Sequence, residues 1–268
     1  MEIQNACVVV TGASKGIGAA IARSFAKQGA HVVLVARSTD QIEQLAEQLN
    51  GSSFSVDLTD SAQLDGFIER VEREISPIDI LINNAGIETQ DFVEDLDEQK
   101  ISDVLATNLI APIRLTRQAL PQMIERGRGH LVYTSSMAAI TPAPGLAAYC
   151  ASKAGLSRFA ETVRMETKGT GVEVTTMHLG PVDTEMWDRV TSNPAFDQAQ
   201  RRLRQIGMLT DVSAKKVATD VTRAVIKHKR EVRHPKRLWG TMALAALPGR
   251  ITELLVSGVD HRSHKKSA

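Results

Sequence analysis

Hydrophobic positions along the chain fall into two alternating patterns. Short β-branched runs, each closed by Gly, Asn, Asp or Ser, occur at Cys7 to Val10, His31 to Ala36, Ser53 to Val56, Ile78 to Ile82, His130 to Thr134 and Val172 to Met177. A seventh is expected near Glu231 to His234. Between them lie stretches with apolar residues spaced near 3.6, such as Ile17, Ile21, Ala22 and Phe25, and a third helix carrying Leu64, Phe67, Ile68 and Val71. Strands that alternate with helices build a parallel sheet covered on both faces, so the pattern predicts an α/β, doubly wound, Rossmann-type fold. No linker, repeat or low-complexity tract divides residues 1 to 230, which predicts one domain over 1–235 followed by a distinct tail over 236–268.

Composition narrows the function classes. With 268 residues and 43% hydrophobic residues the chain can bury one large core. A net charge of +1 gives no sign of a nucleic-acid partner. From Arg223 to the end, however, eleven Lys and Arg stand against three Asp and Glu, so the tail is basic and the rest acidic. Two cysteines, Cys7 and Cys150, exclude a disulfide framework and read as small buried hydrophobes. The seven histidines form no pair at ligand spacing, so no metal is expected. With Glu2 leading directly into the first strand, a cytoplasmic protein is expected rather than a secreted one.

Chemistry enters at the first turn. Thr11-Gly12-Ala13-Ser14-Lys15-Gly16-Ile17-Gly18 follows a strand and opens a helix. Glycines there let the backbone turn tightly and a pyrophosphate approach the helix N-terminus, where unpaired N–H groups and the dipole favour anions. At the end of the second strand, where an NAD site carries an acidic residue for the ribose, stands Ala36 and then Arg37. Arg37 and Lys15 can converge on a 2′-phosphate, which points to NADP(H); the plainer reading leaves Arg37 in solvent.

Tyr149 and Lys153 are four apart on one helix face. A phenol ionises near pH 10, and an adjacent ammonium, with the positive nicotinamide ring of the oxidised cofactor, is expected to bring that value down toward the working range. Ser136 stands at the carboxyl end of the fifth strand, where open α/β sheets hold ligands. Its neighbour Ser135 competes for the same role, but adjacent strand residues face opposite ways, and Ser136 is preferred. Asn108 sits in an otherwise apolar helix and reads either as a satisfied buried amide or as a functional group.

These segments, with Asn83-Asn84-Ala85-Gly86 and Gly180-Pro181-Val182-Asp183-Thr184, fall in an order and spacing that resemble the short-chain dehydrogenase/reductase family from residue 6 to about 186. The resemblance implies Tyr149 as the acid–base group, Lys153 on the nicotinamide ribose, Ser136 polarising the substrate oxygen, and Asn108 holding a water that relays protons to Lys153. It implies further cofactor contacts at Asn84, Ala85 and Gly86, at Asp57 and Leu58 beside the adenine, and at Gly180, Val182 and Thr184 beside the carboxamide. Asp57 has the alternative role of capping the helix that starts near Asp60. Leu179 departs from the family, which usually has Pro there, and a looser local chain is expected.

A homodimer or homotetramer acting on a small carbonyl or alcohol compound is the implied protein. The rival readings are a non-catalytic NADP(H)-binding sensor and an epimerase or dehydratase. A substrate lid is expected at about 185–210, where Met186, Trp187, Val190 and Phe196 suggest a hydrophobic substrate or simple packing onto the core. The tail is too interrupted by Pro248, Arg250 and Glu253 to span a bilayer. It reads as a lid or subunit contact, or as a peripheral anchor whose Trp239 and basic flanks meet anionic lipid.

Overall fold

The structure, a computed structural model, describes residues 1–192, 202, 204, 205 and 210–234. The tail over 236–268 and the expected lid residue Phe196 lie outside the described residues.

Seven parallel strands form one sheet: β1 Cys7–Thr11, β2 His31–Ala36, β3 Ser52–Ser55, β4 Ile80–Asn83, β5 Gly129–Ser136, β6 Val172–Leu179 and β9 Glu231–His234. Across the sheet they stand in the order β3-β2-β1-β4-β5-β6-β9. The order reverses beside β1, the switch point where such sheets leave a crevice for ligands.

Side chains alternate between two apolar layers because the strand period is two. Val8, Val10, Leu34 and Ile82 face α1 Gly16–Ala26, α2 Thr39–Leu49 and α9 Ala214–Ile226, whereas Val9, Val33 and Leu81 face the helices of the other layer. That second layer contains α4 Phe67–Glu74, α6 Ala111–Glu125 and α7 Ala147–Glu166. The runs at 7–10, 31–36 and 78–82 are apolar at nearly every position because both faces are covered.

Three local expectations are corrected. The third helix is broken: α3 Ser61–Leu64 ends at Asp65, whose ψ is 123°, and α4 restarts after Gly66 at φ +63°. Leu64, Phe67, Ile68 and Val71 still enter the same layer. Asn108 lies not in a regular helix but in a π-helical turn, Ala106–Ile110, between α5 Glu98–Leu105 and α6. At Leu179 the chain is not looser. β6 runs through it, pairing Leu179 with Ser136 and with His234, and the Gly180 N–H donates to the His234 carbonyl at 2.7 Å.

Beyond β6, a small parallel pair joins β7 Val182–Asp183 to β8 Val212–Ser213. It ties both ends of the expected lid to the body of the protein. The lid opens with α8 Glu185–Ser192, whose first turn is held by Thr184: its hydroxyl accepts from the Trp187 N–H and its carbonyl from that of Asp188. No described helix is long and apolar enough to cross a membrane.

Candidate active site

The glycine turn is shaped by close approaches. Gly12 has φ +64°, and a Cβ there would stand 2.7 Å from the Ala85 Cα. A Cβ on Gly18 would meet the Gly12 carbonyl oxygen at 2.1 Å and the Asn84 side-chain nitrogen at 2.7 Å. Both positions therefore require glycine. Thr11, to which the residue pattern assigns no role, joins this turn to the segment after β4: its hydroxyl accepts from the N–H groups of Asn84 and Ala85 at 3.0 and 3.1 Å. Asn84 returns the bond by donating to the Thr11 carbonyl at 3.0 Å, and its side-chain oxygen accepts from the Thr134 hydroxyl.

Ser14 and Ile17 are half-buried and Gly16 is exposed, its Cβ position facing Thr184 at 3.4 Å. At the start of α1, Lys15 supplies no side-chain cap, which leaves the first-turn N–H groups directed at the crevice.

At the expected adenosine end Lys15 and Arg37 are each paired with a carboxylate of their own. Lys15 binds Glu185 of α8, and Arg37 stands 4.0 Å from Asp57. The helix after β3 is capped by Asp60, which accepts from the Ala62 N–H; Asp57 instead accepts from the N–H and hydroxyl of Thr59 at 2.9 and 2.8 Å. Asp57 is thus not the cap, although its second oxygen faces Arg37. Leu58 beside it is buried.

At the carboxyl ends of β4 and β5 the four catalytic candidates come together. Ser136 lies near enough to the Tyr149 hydroxyl to favour its ionised form. It accepts from the Ala138 N–H at 3.1 Å and donates to the Leu179 carbonyl at 3.3 Å. Ser135 turns the other way and meets Ser157 at 2.6 Å. Lys153 is buried, donates to the Thr134 carbonyl at 2.9 Å, and has its ammonium 5.7 Å from the Tyr149 ring centre. Gly86 keeps this corner open, since a Cβ there would lie 3.2 Å from the lysine nitrogen.

Asn108 is fully buried and its amide is fully engaged: it accepts from the Ile87 N–H and donates to the Ile87 carbonyl, both at 2.9 Å, and to the Ser152 hydroxyl at 3.0 Å. Ser152 in turn donates to the Tyr149 carbonyl at 2.7 Å. The side chain therefore clamps the loop after β4 to α7, and the π turn that carries it has no signature in the residue pattern.

Electrostatics here are governed by burial rather than by the lysine. Burial pushes the Tyr149 hydroxyl up to about 12 and the Lys153 ammonium down to about 8. For the phenol, burial opposes the lowering expected from the ammonium together with the oxidised nicotinamide ring, because removing water penalises an anion. Ser136 works against the rise, and the Glu88 carboxylate adds to it. The same burial effect raises Cys7 to about 11, so its thiol stays protonated and inert.

The family description "short chain dehydrogenase" matches residues 6–195. The chain belongs to the short chain dehydrogenase family. It is 36% identical over 195 residues to a short chain dehydrogenase of Pseudocercospora fijiensis, covering 69% of this chain and 62% of that one. To the ketoacyl reductase HetN of a Nostoc species it is 37% identical over 180 residues, covering 65% and 63%. The match thus spans less than two thirds of either relative. To the 3-oxoacyl-[acyl-carrier-protein] reductase FabG of Escherichia coli it is 31% identical, covering 69% of this chain and 77% of that one.

Among solved structures, a gluconate 5-dehydrogenase candidate from Beutenbergia cavernae with bound NADP superposes with a TM-score of 0.77 at 26% identity, over 87% of this chain and 97% of its own. A short chain dehydrogenase/reductase from Burkholderia phymatum with NAD shares the fold, with a TM-score of 0.79 at 22% identity, over 95% and 96%. A nicotinamide cofactor is common to both, and the choice between its two forms rests on this chain's own residues.

Proposed function

We propose that the chain is an NADP(H)-dependent oxidoreductase that reduces a carbonyl compound, or in reverse oxidises a secondary alcohol, with Tyr149 as the proton donor and acceptor. The observation that carries this reading is the convergence of the Tyr149 hydroxyl, Ser136 and the Lys153 corner at the mouth of the crevice beside the glycine turn. Residues suited to a nicotinamide dinucleotide line that crevice. A Cβ at Gly12 or Gly18 would collide with backbone, which is the signature of a cradle kept clear, and the uncapped start of α1 offers its N–H groups to a pyrophosphate. Arg37, exposed at the end of β2 where Ala36 offers no carboxylate, supports NADP(H) over NAD(H). When bound, the cofactor supplies or accepts a hydride.

The remaining chemistry belongs to the side chains. Ser136 is fixed by two backbone bonds, so its hydroxyl is oriented before a substrate oxygen arrives. Tyr149, pushed up to about 12, holds its proton at neutral pH, the state from which it can protonate a carbonyl oxygen in the reducing direction. Lys153, at about 8, remains mostly cationic at pH 7 and stabilises the phenolate left behind. Trp187 and Met186, both half-buried on α8 at the start of the expected lid, suit a hydrophobic substrate.

Oxidation of NADPH in the presence of aldehydes, ketones, steroids and 3-oxoacyl thioesters identifies the substrate class. Changing Tyr149→Phe keeps the ring and removes the transferable proton, so turnover is expected to fall by at least ~10²-fold with NADPH affinity nearly intact. Near wild-type turnover by this variant would instead favour a non-catalytic NADP(H) sensor.

A further inference from the structure

Glu88 lies two residues past Gly86, directly after Ile87, whose N–H and carbonyl are both held by Asn108. The backbone that carries Glu88 is thereby joined, through Asn108 and Ser152, to the main-chain carbonyl of Tyr149. Its side chain is only 6% exposed, an unusual position for a carboxylate without a partner. The partner comes from the opposite side of the crevice. Arg189 of α8 donates from Nε to the Glu88 Oε1 at 3.1 Å across 101 residues of sequence.

We propose that the Glu88–Arg189 ion pair is a positioning strut, seating the lid helix against the wall that carries Tyr149 and holding a neutralised carboxylate beside the phenol. Glu88 and Arg189 touch no reacting atom in this reading; they act through Tyr149 and α8. The inference rests on Tyr149 being the acid–base group.

The groups around the phenol come from four elements. Ser136 comes from β5, Glu88 follows β4, Lys153 and Cys150 lie on α7, and Arg189 reaches in from α8 against Glu88. A carboxylate near a phenol opposes its ionisation, and a guanidinium on that carboxylate offsets the opposition. Loss of either partner should thus act on Tyr149 in opposite directions, which a general loss of packing would not do.

The chain has two tyrosines, and the hydroxyl of the other, Tyr133, is buried on Thr116 at 2.8 Å. Carbon-13 labelling of the tyrosine ring Cζ, with saturating NADP⁺, gives a resonance for Tyr149 that is assigned by its loss in Tyr149→Phe. Glu88→Gln is expected to lower the pH at which this resonance titrates by roughly one unit, and Arg189→Met to delay it by a similar amount. The double variant should titrate near the wild-type position, because the opposite shifts of the two single variants cancel. Arg189→Lys, which keeps the cation, should return the titration to near the wild-type position. Hydrogen exchange of the α8 amides should quicken in Arg189→Met. Shifts of the same sign in both single variants, no shift in either, or unchanged exchange in α8 would overturn the proposal. None of these readouts needs turnover. Failure of the acid–base reading itself appears separately, as activity retained by Tyr149→Phe.

Discussion

Lys153 donates its ammonium to the carbonyl of Thr134 at 2.9 Å, two residues before Ser136 on the same strand. The lysine is thus aligned by β5 as well as by its own helix, and its position relative to the Tyr149 ring does not depend on side-chain freedom. Lys153→Met should remove a charge and a donor from a site closed to water. NADPH affinity and turnover are both expected to fall, kcat/KM by roughly 10²-fold or more, measured by fluorescence titration and initial rates. A drop in kcat with unchanged NADPH affinity would exclude the ribose role.

Arg37 stands 4.0 Å from Asp57 and is mostly exposed, so it is free to swing toward a 2′-phosphate. Arg37→Asp would put two carboxylates there. The ratio of kcat/KM for NADPH to that for NADH is expected to fall by about tenfold to a hundredfold, through loss of a charge-assisted bond and added repulsion. An unchanged ratio would remove Arg37 from the phosphate site. Lys15→Ala provides the contrast: because Lys15 is engaged by Glu185, a smaller change is expected.

The parts legible in the sequence are those that depend on neighbours along the chain. A parallel sheet covered on both faces needs continuous β-branched runs, and those at 31–36 and 172–177 lie inside β2 and β6. The glycine turn is legible where its glycines answer each other, as Gly18 is kept bare by Gly12, whereas the demand that Ala85 makes on Gly12 comes from across the sheet. What escapes is set by partners distant in sequence. The ion pair of Lys15 with Glu185, 170 residues on, has no sign in the residue pattern. The alternative reading of Asp57 as a cap fails because Asp60 occupies that position, and the break at Gly66 leaves the apolar spacing on either side undisturbed. The pKa of Tyr149 escapes for a related reason, since burial is a property of the assembled site.

His130 on β5 is fully buried, with Nε2 2.8 Å from the Thr175 hydroxyl and its ring stacked on His228. Burial, with smaller contributions from His228 and the N-terminal amine, pushes it from 6.5 down to about 3. The folded state holds this imidazole neutral, whereas the unfolded chain protonates it below pH 6.5. Stability is therefore fully present above that value and is lost as pH falls toward 3, by up to roughly 5 kcal/mol. Urea unfolding at pH 7.5, 6 and 4.5 should show this decline. His130→Gln is expected to flatten it, and an equal slope in the variant would assign the acid loss to other groups.

Gly18 offers the sharpest separation between folding and cofactor binding. Its backbone needs no unusual φ, so an alanine meets no local strain, but the new Cβ would lie 2.1 Å from the Gly12 carbonyl oxygen. Backbone on both sides of the turn would have to move, and overpacking of this kind costs about 1–3 kcal/mol. The movement falls where α1 presents its first N–H groups, so Gly18→Ala should weaken NADPH binding more than tenfold, because misaligned donors lose their phosphate bonds. Gly66 is the control. It sits at φ +63° with nothing within 4 Å of the place a Cβ would take, so Gly66→Ala should cost about 1 kcal/mol of stability through backbone strain alone. Its NADPH affinity should be unchanged. Thermal unfolding and fluorescence titration of both variants test this: equal losses of NADPH affinity in the two would mean that the effect at Gly18 reflects general destabilisation rather than the shape of the turn.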